Sequence, residues 1–200
     1  FVAAYYRGGR IGPWTGEVRR YRFEFMITVS RIELLTPGSI YIFLDHEERA
    51  MAESGRDGVP HFHIFDEGTP WSRDREKLLQ KWQMPVNRFS DPPRPSDQNG
   101  WTRSFGLWID GEIRGSTSLW GNPTRSGFHR ANLSLGVERA YHGRGFGTAL
   151  MNAASEWARS EGLESIDLFV FEGNDPAISL YRKLGYRETG RGTDRWRIAG

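Results

Sequence analysis

The stretch that decides the fold is VERAYHGRGFGTALMNAASEWARSEG, residues Val137–Gly162. It places three glycines on alternate positions, Gly143, Gly145 and Gly147, immediately before an apolar pattern of helical period. Directly upstream, residues 131–137 (ANLSLGV) put apolar side chains on alternate positions, as a half-buried strand does. The sequence therefore predicts a strand, then a glycine-rich turn, then a helix.

A glycine-rich turn at the start of a helix favours anion binding. The first helical turn has N–H groups without intrahelical partners, and the helix dipole adds positive potential there. Glycine lets a phosphate approach the main chain closely, and Arg144 would add a positive charge. A tight turn whose glycines serve only steric needs is the alternative, but three glycines within five residues favour the phosphate site.

Two common nucleotide-binding motifs fit this turn poorly. A Walker loop needs a lysine after its second glycine, and no lysine stands here. A dinucleotide fingerprint would begin at Gly143 and Gly145, but Thr148 occupies the place of its third glycine. The acidic residue that would bind a ribose, Glu172, also lies too far along the chain. A Rossmann-like NAD enzyme is therefore the weakest interpretation.

A different phosphate-binding motif matches closely. HGRGFG (His142–Gly147) resembles the acyl-CoA-binding signature of the GNAT superfamily of N-acetyltransferases, Gln/Arg-x-x-Gly-x-Gly/Ala, with His142 in place of Gln or Arg. LFVFEGNDPAISLYRKLGY (Leu168–Tyr186) is similar to that family's later strand, asparagine, helix, tyrosine and glycine–aromatic pair. The two motifs stand in the family's order, and the resemblance is specific over about residues 133–186.

The resemblance implies the GNAT fold. This is an α/β (α+β) fold with a central mixed, mostly antiparallel twisted sheet flanked by helices. The sheet would be splayed between the strands at 131–137 and 165–171, and Gly136 would mark a bulge in the first of them. We expect residues 1–27 to form an N-terminal extension, with an added strand as one option, and residues 28–200 to form the acetyltransferase domain.

Other elements follow from turn residues and apolar spacing. Asp110-Gly111 between two apolar runs predicts a β-hairpin. The segment that Pro37 opens, and REKLLQKW from Arg75, carry apolar residues on one helical face. Residues 21–29 (YRFEFMITV) and 195–199 (RWRIA) are predicted strands.

The resemblance also implies roles for individual residues. The main chain of Leu135 and Val137 would hydrogen-bond the pantetheine arm, and Asn174 would bind the cofactor from the other wall of the cleft. Tyr181 would lie near the sulfur atom and act as the general acid for the departing thiolate. The pyrophosphate would be bound by the amides of residues 142–148: His142, Gly143, Arg144, Gly145, Phe146, Gly147 and Thr148.

These roles imply an N-acetyltransferase that uses acetyl-CoA as cosubstrate and no metal ion. A primary amine, on a small molecule or on a protein lysine or N-terminus, would attack the thioester directly in a ternary complex. No enzyme nucleophile is needed, which agrees with the absence of cysteine, and a strand amide near Val137 would stabilise the oxyanion. A non-catalytic acyl-CoA-binding sensor module that uses the same cleft is the alternative.

The group that deprotonates the amine is left open. Many relatives place a glutamate on the strand before the phosphate loop, and the matching position here is Asn132, which cannot act as a base. The remaining candidates are His129 just before that strand, Glu112 on the hairpin, and an ordered water.

The segment PHFHIFDEG (Pro60–Gly68) has a separate pattern. His61 and His63 would share one face of an extended segment, with Asp66 close by, which is typical of metal ligands. No further ligand follows at a familiar spacing. In the family that the chain resembles, the region between the first helices reads the acceptor, so the resemblance implies that these histidines line the acceptor cleft.

Composition limits the partners. The 200-residue chain carries a formal net charge of +2, contains no cysteine and has no long apolar run or signal-peptide pattern. Its basic residues are nearly all arginine, without an aromatic nucleic-acid motif. We expect a cytoplasmic monomer or homodimer that binds neither nucleic acid nor membranes.

Overall fold

The computed structural model describes residues 2–7, 19–21, 30–54, 75–84, 86 and 100–193. Three predictions lie outside these residues: the strands expected in 22–29 and 195–199, and the segment that contains His61 and His63. The division of the chain between residues 27 and 28 also stays a prediction.

Eight strands and four α-helices form the described part of the chain. The helices are α1 (Ile40–Glu53), α2 (Arg75–Gln83), α3 (Phe146–Ser160) and α4 (Asp175–Lys183), with short 3-10 turns at Pro37–Ser39, Arg125–Gly127 and Arg139–Tyr141. The strands are β1 (Val2–Arg7), β2 (Arg19–Tyr21), β3 (Ser30–Leu34), β4 (Thr102–Ile109), β5 (Glu112–Gly121), β6 (Arg130–Val137), β7 (Ser165–Val170) and β8 (Arg187–Arg191).

The strands form one mixed sheet in the order β2-β3-β4-β5-β6-β7-β1-β8. All neighbouring strands are antiparallel except β6 and β7, which are parallel. The predicted hairpin joins β4 to β5, and its turn residues Asp110 and Gly111 both have positive φ, at 51° and 84°, as a type I′ turn requires. The predicted fold, a mostly antiparallel mixed sheet flanked by helices, is confirmed.

Apolar clusters hold the helices to the sheet. The larger cluster joins the buried side of α3, including Leu150 and Trp157, to Leu107, Leu119 and Leu133 of the sheet. A second cluster contains residues of α1 and α2, where the Phe43 and Trp82 rings meet edge to face at 5.8 Å, and Ile113 of the sheet. Among the described helices, none has the length and hydropathy needed to cross a membrane.

The sheet opens between β6 and β7. Their paired register runs only from Arg130 opposite Ser165 to Leu133 opposite Leu168, so the later residues of the two strands are unpaired with each other. The closed end is held by Arg130, whose Nε and Nη2 donate to Asp167 at 2.8 and 2.5 Å. The predicted splay is confirmed.

The expected bulge at Gly136 is wrong. β6 pairs with β5 in unbroken register from Ala131 to Val137. A bulge lies instead between β4 and β5, where Arg114 is the additional residue on β5. The opening therefore comes from divergence of two parallel strands after four residue pairs, and not from an irregularity within β6.

β1 lies inside the sheet and not at its edge. Ala4 is paired with Leu168 of β7 on one side and with Glu188 of β8 on the other. Val2 and Ala4 are buried in the main core. The first strand therefore supports the same side of the opening that β7 forms.

Candidate functional site

A cavity of about 670 Å³ occupies the opening between β6 and β7. One wall consists of β6, the loop after it and the start of α3, and the other consists of the end of β7 and α4. The last turn of α1 reaches the cavity through Ala50 and Glu53. The structure brings nearly all of the predicted cofactor-binding residues together here, with Tyr181 beside them: Leu135, Val137, His142, Gly143, Gly145, Phe146, Gly147, Thr148 and Asn174.

Glycine is required at positions 143, 145 and 147 for two different structural reasons. Gly143 and Gly145 have φ values of 72° and 79°, and a Cβ added at either would meet no atom within 4 Å. They are therefore needed for a left-handed backbone and not for space. A Cβ at Gly147 would lie 3.2 Å from Leu180 Cδ2 and 3.7 Å from Leu135 Cδ2. Gly147 therefore allows α3 to approach α4 and β6 closely.

The start of α3 has no side-chain cap. Gly145 occupies the N-cap position and has no side chain that could accept a hydrogen bond from the first amides of the helix. Gly147 and Thr148, in the first turn, line the cavity. An anion in the cavity can take the place of the missing cap.

Arg144 is the one predicted cofactor ligand that does not line the cavity. Its guanidinium carbon lies 5.4 Å from the centroid of the Tyr141 ring, and Tyr141 itself lines the cavity. Arg114 lies 5.8 Å from the same ring. Arg144 therefore approaches the cavity only by way of Tyr141, and its role as a ligand stays a prediction.

His142 fixes the loop that follows β6. Its Nε2 donates to the carbonyl oxygen of Val137 at 2.7 Å. The side chain thus caps the last carbonyl group of β6. At this position the sequence predicted a contribution from the backbone alone, so the side-chain contact is an addition to that prediction.

Glu138 joins the same loop to α1 and to the hairpin. Its carboxylate accepts hydrogen bonds from Arg49 Nε at 2.8 Å and Arg114 Nη1 at 3.1 Å, and it contacts His46 Nδ1 at 3.1 Å. Burial by itself would raise the pKa of Glu138, but the hydrogen bonds from His46 and Arg49 and the charge of Arg49 lower it to about 2. The partners lie 24–92 residues away in the chain, so no local pattern could have indicated this cluster.

Glu47, one position after His46, has the opposite environment. It accepts a hydrogen bond from Ser116 Oγ at 2.8 Å. Burial raises the pKa of Glu47, and the nearby charge of His46 and the hydrogen bond from Ser116 offset only part of this increase.

The opposite wall presents two nearly buried side chains. Asn174 is the N-cap of α4, and its Oδ1 accepts a hydrogen bond from the Ala177 amide at 3.3 Å. The side-chain NH₂ group of Asn174 remains available as a donor on the cavity side. Tyr181 lies in the last turn of α4, two residues before its end, and burial raises its pKa to about 12.

Neither of the two residues considered as a base lies at the cavity. Glu112 pairs with Arg114 at 2.7 Å, and neither Glu112 nor His129 is among the lining residues. Asn132 does line the cavity. Of the acidic side chains, Glu53 lines it, and its Oε2 accepts a hydrogen bond from the Arg139 amide at 2.8 Å.

No group of three or more metal-binding side chains is found among the described residues. His61 and His63 lie outside the described residues. The metal-free mechanism expected from the sequence stays a prediction.

The fold and the site define a class of protein. A mixed sheet opened between two parallel strands, with a glycine turn and a helix N-terminus at the opening, suits a phosphate-bearing cofactor with a long arm. The sequence model of the acetyltransferase (GNAT) family matches residues 60–186. This match covers well over half of the chain, and the chain belongs to the GNAT acetyltransferase family.

Individual relatives agree with this assignment. The chain is 26% identical over 165 residues to a mycothiol acetyltransferase of Corynebacterium glutamicum, covering 72% of this chain and 53% of that protein. It is 34% identical over 90 residues to an L-amino acid N-acetyltransferase of Escherichia coli, covering 42% of this chain and 52% of the relative. The chain thus spans about half the length of these two relatives.

Solved structures show the same fold. An acetyltransferase of the GNAT family from Streptococcus pneumoniae superposes with a TM-score of 0.66 at 20% identity, covering 86% of this chain and 92% of that one.

Proposed function

We propose that this protein transfers an acetyl group from acetyl-CoA to a primary amine by direct attack in a ternary complex. The observation that carries the proposal is the cavity of about 670 Å³ between β6 and β7, with the glycine turn on one wall and Tyr181 on the other. Membership of an acetyltransferase family supports the same reaction. A cytoplasmic location and a monomeric or homodimeric state belong to the same proposal.

The cofactor would bind mainly through the main chain of the first wall. Past Leu133, β6 has no strand partner on the β7 side, so the backbone near Leu135 and Val137 can pair with the amides of the pantetheine arm. The amides of residues 142–148 would bind the pyrophosphate, where left-handed glycines and the open helix start favour an anion. Asn174 would donate from the opposite wall.

Acetyl transfer forms a bond from the thioester carbonyl carbon to the amine nitrogen and releases CoA as the leaving group. The neutral amine forms a C–N bond to the thioester carbonyl, the oxyanion is stabilised by a strand amide, and the C–S bond then breaks. The amine gives up one proton, and CoA leaves as the thiolate or thiol.

Tyr181 is suited to donate a hydrogen bond to that thiolate. Its phenol has a pKa of about 12, so it stays protonated throughout the physiological range. A thiol has a pKa of roughly 8.5, so complete proton transfer from the phenol would be uphill by about 5 kcal/mol. Tyr181 therefore stabilises the leaving group as the C–S bond breaks and need not be indispensable.

Water is the most suitable acceptor for the proton of the amine. Asn132 cannot take a proton, and Glu112 and His129 lie outside the cavity. Glu53 lines the cavity, but its carboxylate already accepts a hydrogen bond from the Arg139 amide. Without a dedicated base the reaction depends on the fraction of amine that is already neutral. The rate should therefore rise with pH towards the pKa of the acceptor amine.

A non-catalytic acyl-CoA sensor is the second candidate. The absence of a carboxylate at Asn132 favours it, because a sensor requires the cleft but no base.

The acceptor of an active enzyme would be a small-molecule amine or a protein amine. Similarity to an L-amino acid N-acetyltransferase supports a small molecule.

Thermal-shift titrations with acetyl-CoA, CoA and NAD, followed by turnover with an amine panel, test the proposal. At a hundredfold excess over Kd, one-site binding adds about 2.7 kcal/mol, which raises Tm by about 5–10 °C for a chain of this size. A shift with acetyl-CoA and CoA but not NAD, with release of free thiol when amine is added, is expected. Binding without turnover would favour the sensor, and a shift with NAD alone would overturn both.

A further inference from the structure

A second cavity of about 440 Å³ adjoins the first. Trp120 and Asn132 line both cavities, so the two spaces meet at these side chains. The remaining wall includes Lys81 at the end of α2, Thr102 of β4 and Asn122 after β5. An amine that approaches the cofactor cavity by way of Asn132 would pass through this space.

Lys81 is the only ionisable side chain among the described residues that line the second cavity. Within the described part of the chain, no carboxylate is paired with its ammonium group. The other lining side chains are neutral, and they include the two asparagines at positions 122 and 132. Among the described residues, Lys81 therefore contributes the only charge to this lining, and a positive charge there favours an anion and disfavours a second cation.

The main chain that carries Lys81 is held firmly against the sheet. Arg103 of β4 donates to the carbonyl groups of Lys81 at 3.3 Å and Met84 at 2.7 Å. The next residue, Trp82, is buried against Phe43. These contacts fix the origin of the Lys81 side chain beside the cavity and leave its ammonium group to a ligand.

Asn122 is oriented so that it can donate. Its Oδ1 accepts hydrogen bonds from the amide and the hydroxyl of Thr124, at 3.0 and 2.8 Å. Gly127 packs against the same side chain, because a Cβ added there would lie 2.4 Å from Cγ and 2.5 Å from Nδ2 of Asn122. The NH₂ group of Asn122 is therefore the part of the side chain that a ligand oxygen can use.

We propose that the second cavity binds the acceptor, and that the acceptor carries a carboxylate that pairs with Lys81. The inference rests on the proposed function and names its substrate class: an amino-acid-like amine, not a polyamine. Lys81 and Asn122 hold the carboxylate, Trp120 contacts the carbon chain, and the amine passes Asn132 towards the thioester.

Matched acceptors and matched variants test this. The twenty standard L-amino acids are compared with their carboxamides and with spermidine in a thiol-release assay. For the best acid, kcat/KM calculated for the neutral amine should exceed that of its carboxamide by tenfold or more, and spermidine should be inactive. In Lys81→Met this preference should fall to about one. Lys77→Met, one helical turn earlier on the same helix, is the control and should keep the preference.

The acetyl-CoA affinity of each variant separates this inference from the proposed function, because neither lysine touches the cofactor cavity. A protein that binds acetyl-CoA and prefers carboxamides or spermidine would overturn the inference and leave the proposed function intact. If no amine turns over, calorimetry of the amino acids with the CoA-bound protein decides. Binding that is lost in Lys81→Met supports the carboxylate site, and no binding of any amino acid overturns it.

Discussion

The wall formed by β6 and the start of α3 differs from the wall formed by β7 and α4 in the groups that it turns towards the cavity. The first wall presents main-chain atoms. Gly143 and Gly145 hold this main chain in a left-handed conformation that residues with a Cβ rarely adopt. The second wall presents two side chains, Asn174 and Tyr181, each less than one-tenth exposed.

This difference predicts which substitutions affect the site. Backbone ligands are insensitive to most side-chain changes and sensitive to anything that changes the φ angle. Side-chain ligands have the reverse sensitivity. Substitutions at the glycine turn of the first wall and at Tyr181 of the second wall should therefore separate cofactor affinity from catalytic rate.

The largest effect is expected for Gly145→Glu on the first wall. A residue with a Cβ at φ 79° costs about 1–2 kcal/mol, and the new carboxylate would repel the pyrophosphate. The Kd for acetyl-CoA, measured by calorimetry, should rise by more than a hundredfold. Gly190→Glu on exposed β8, where a Cβ also meets no atom within 4 Å, is the control and should leave Kd unchanged. Unchanged affinity in folded Gly145→Glu would remove the phosphate site from this turn.

Tyr181→Phe on the second wall should lower kcat by about tenfold to a hundredfold, while Kd for acetyl-CoA changes by less than threefold. The phenol is expected to act on the leaving group and not on cofactor binding. Because its pKa is about 12, Tyr181 should contribute no titration between pH 6 and 10. Any limb of the pH–rate profile in that range should persist in the variant. Equal loss in rate and affinity would mean that Tyr181 is only part of the wall.

Glu138→Gln tests the support behind the first wall. A carboxyl whose pKa falls on folding stabilises the protein above its unfolded pKa, near 4.3, and loses this contribution as the pH falls towards the folded value of about 2. At pH 7 the variant should lose about 2–3 kcal/mol of unfolding free energy in urea titrations, and the difference should shrink below pH 4.5. The control is Glu112→Gln, whose side chain is 52% exposed, and it should lose less than about 0.5 kcal/mol. A loss that is constant with pH would argue against a charged Glu138.

The smallest effect is expected at Asn174, where two roles can be separated. Asn174→Ala removes the cap of α4 and should cost about 1 kcal/mol of stability. Asn174→Asp restores an accepting cap but not the donor that we assign to the cofactor. Thermal unfolding should therefore recover in the aspartate variant while acetyl-CoA affinity stays reduced. Recovery of both would show that Asn174 serves only the helix.

The sequence was most informative where function and local structure coincide. The glycine turn and the hairpin at Asp110-Gly111 both depend on backbone conformations that few residues adopt, so their residues alone predict them. The conformation of the first wall was therefore predictable from its sequence, whereas its role in cofactor binding stays a prediction.

Long-range contacts were not predictable in this way. The cluster around Glu138 joins residues of α1 and the hairpin that no spacing rule connects. The bulge was expected at Gly136 because glycine often marks one, but the observed bulge is at Arg114, which carries no local signal. Asn132 and Lys81 come together only because α2 packs across β4.

The position of β1 bears on the order in which the molecule can be completed during synthesis. Val2–Arg7 is synthesised long before its partners Ser165–Val170 and Arg187–Arg191, which come more than 150 residues later. Contacts of such long sequence separation form late, because the intervening chain must first be ordered. β1 therefore stays without its neighbours until β7 and β8 have been made, and the part of the sheet beside the wall that carries Asn174 and Tyr181 closes late.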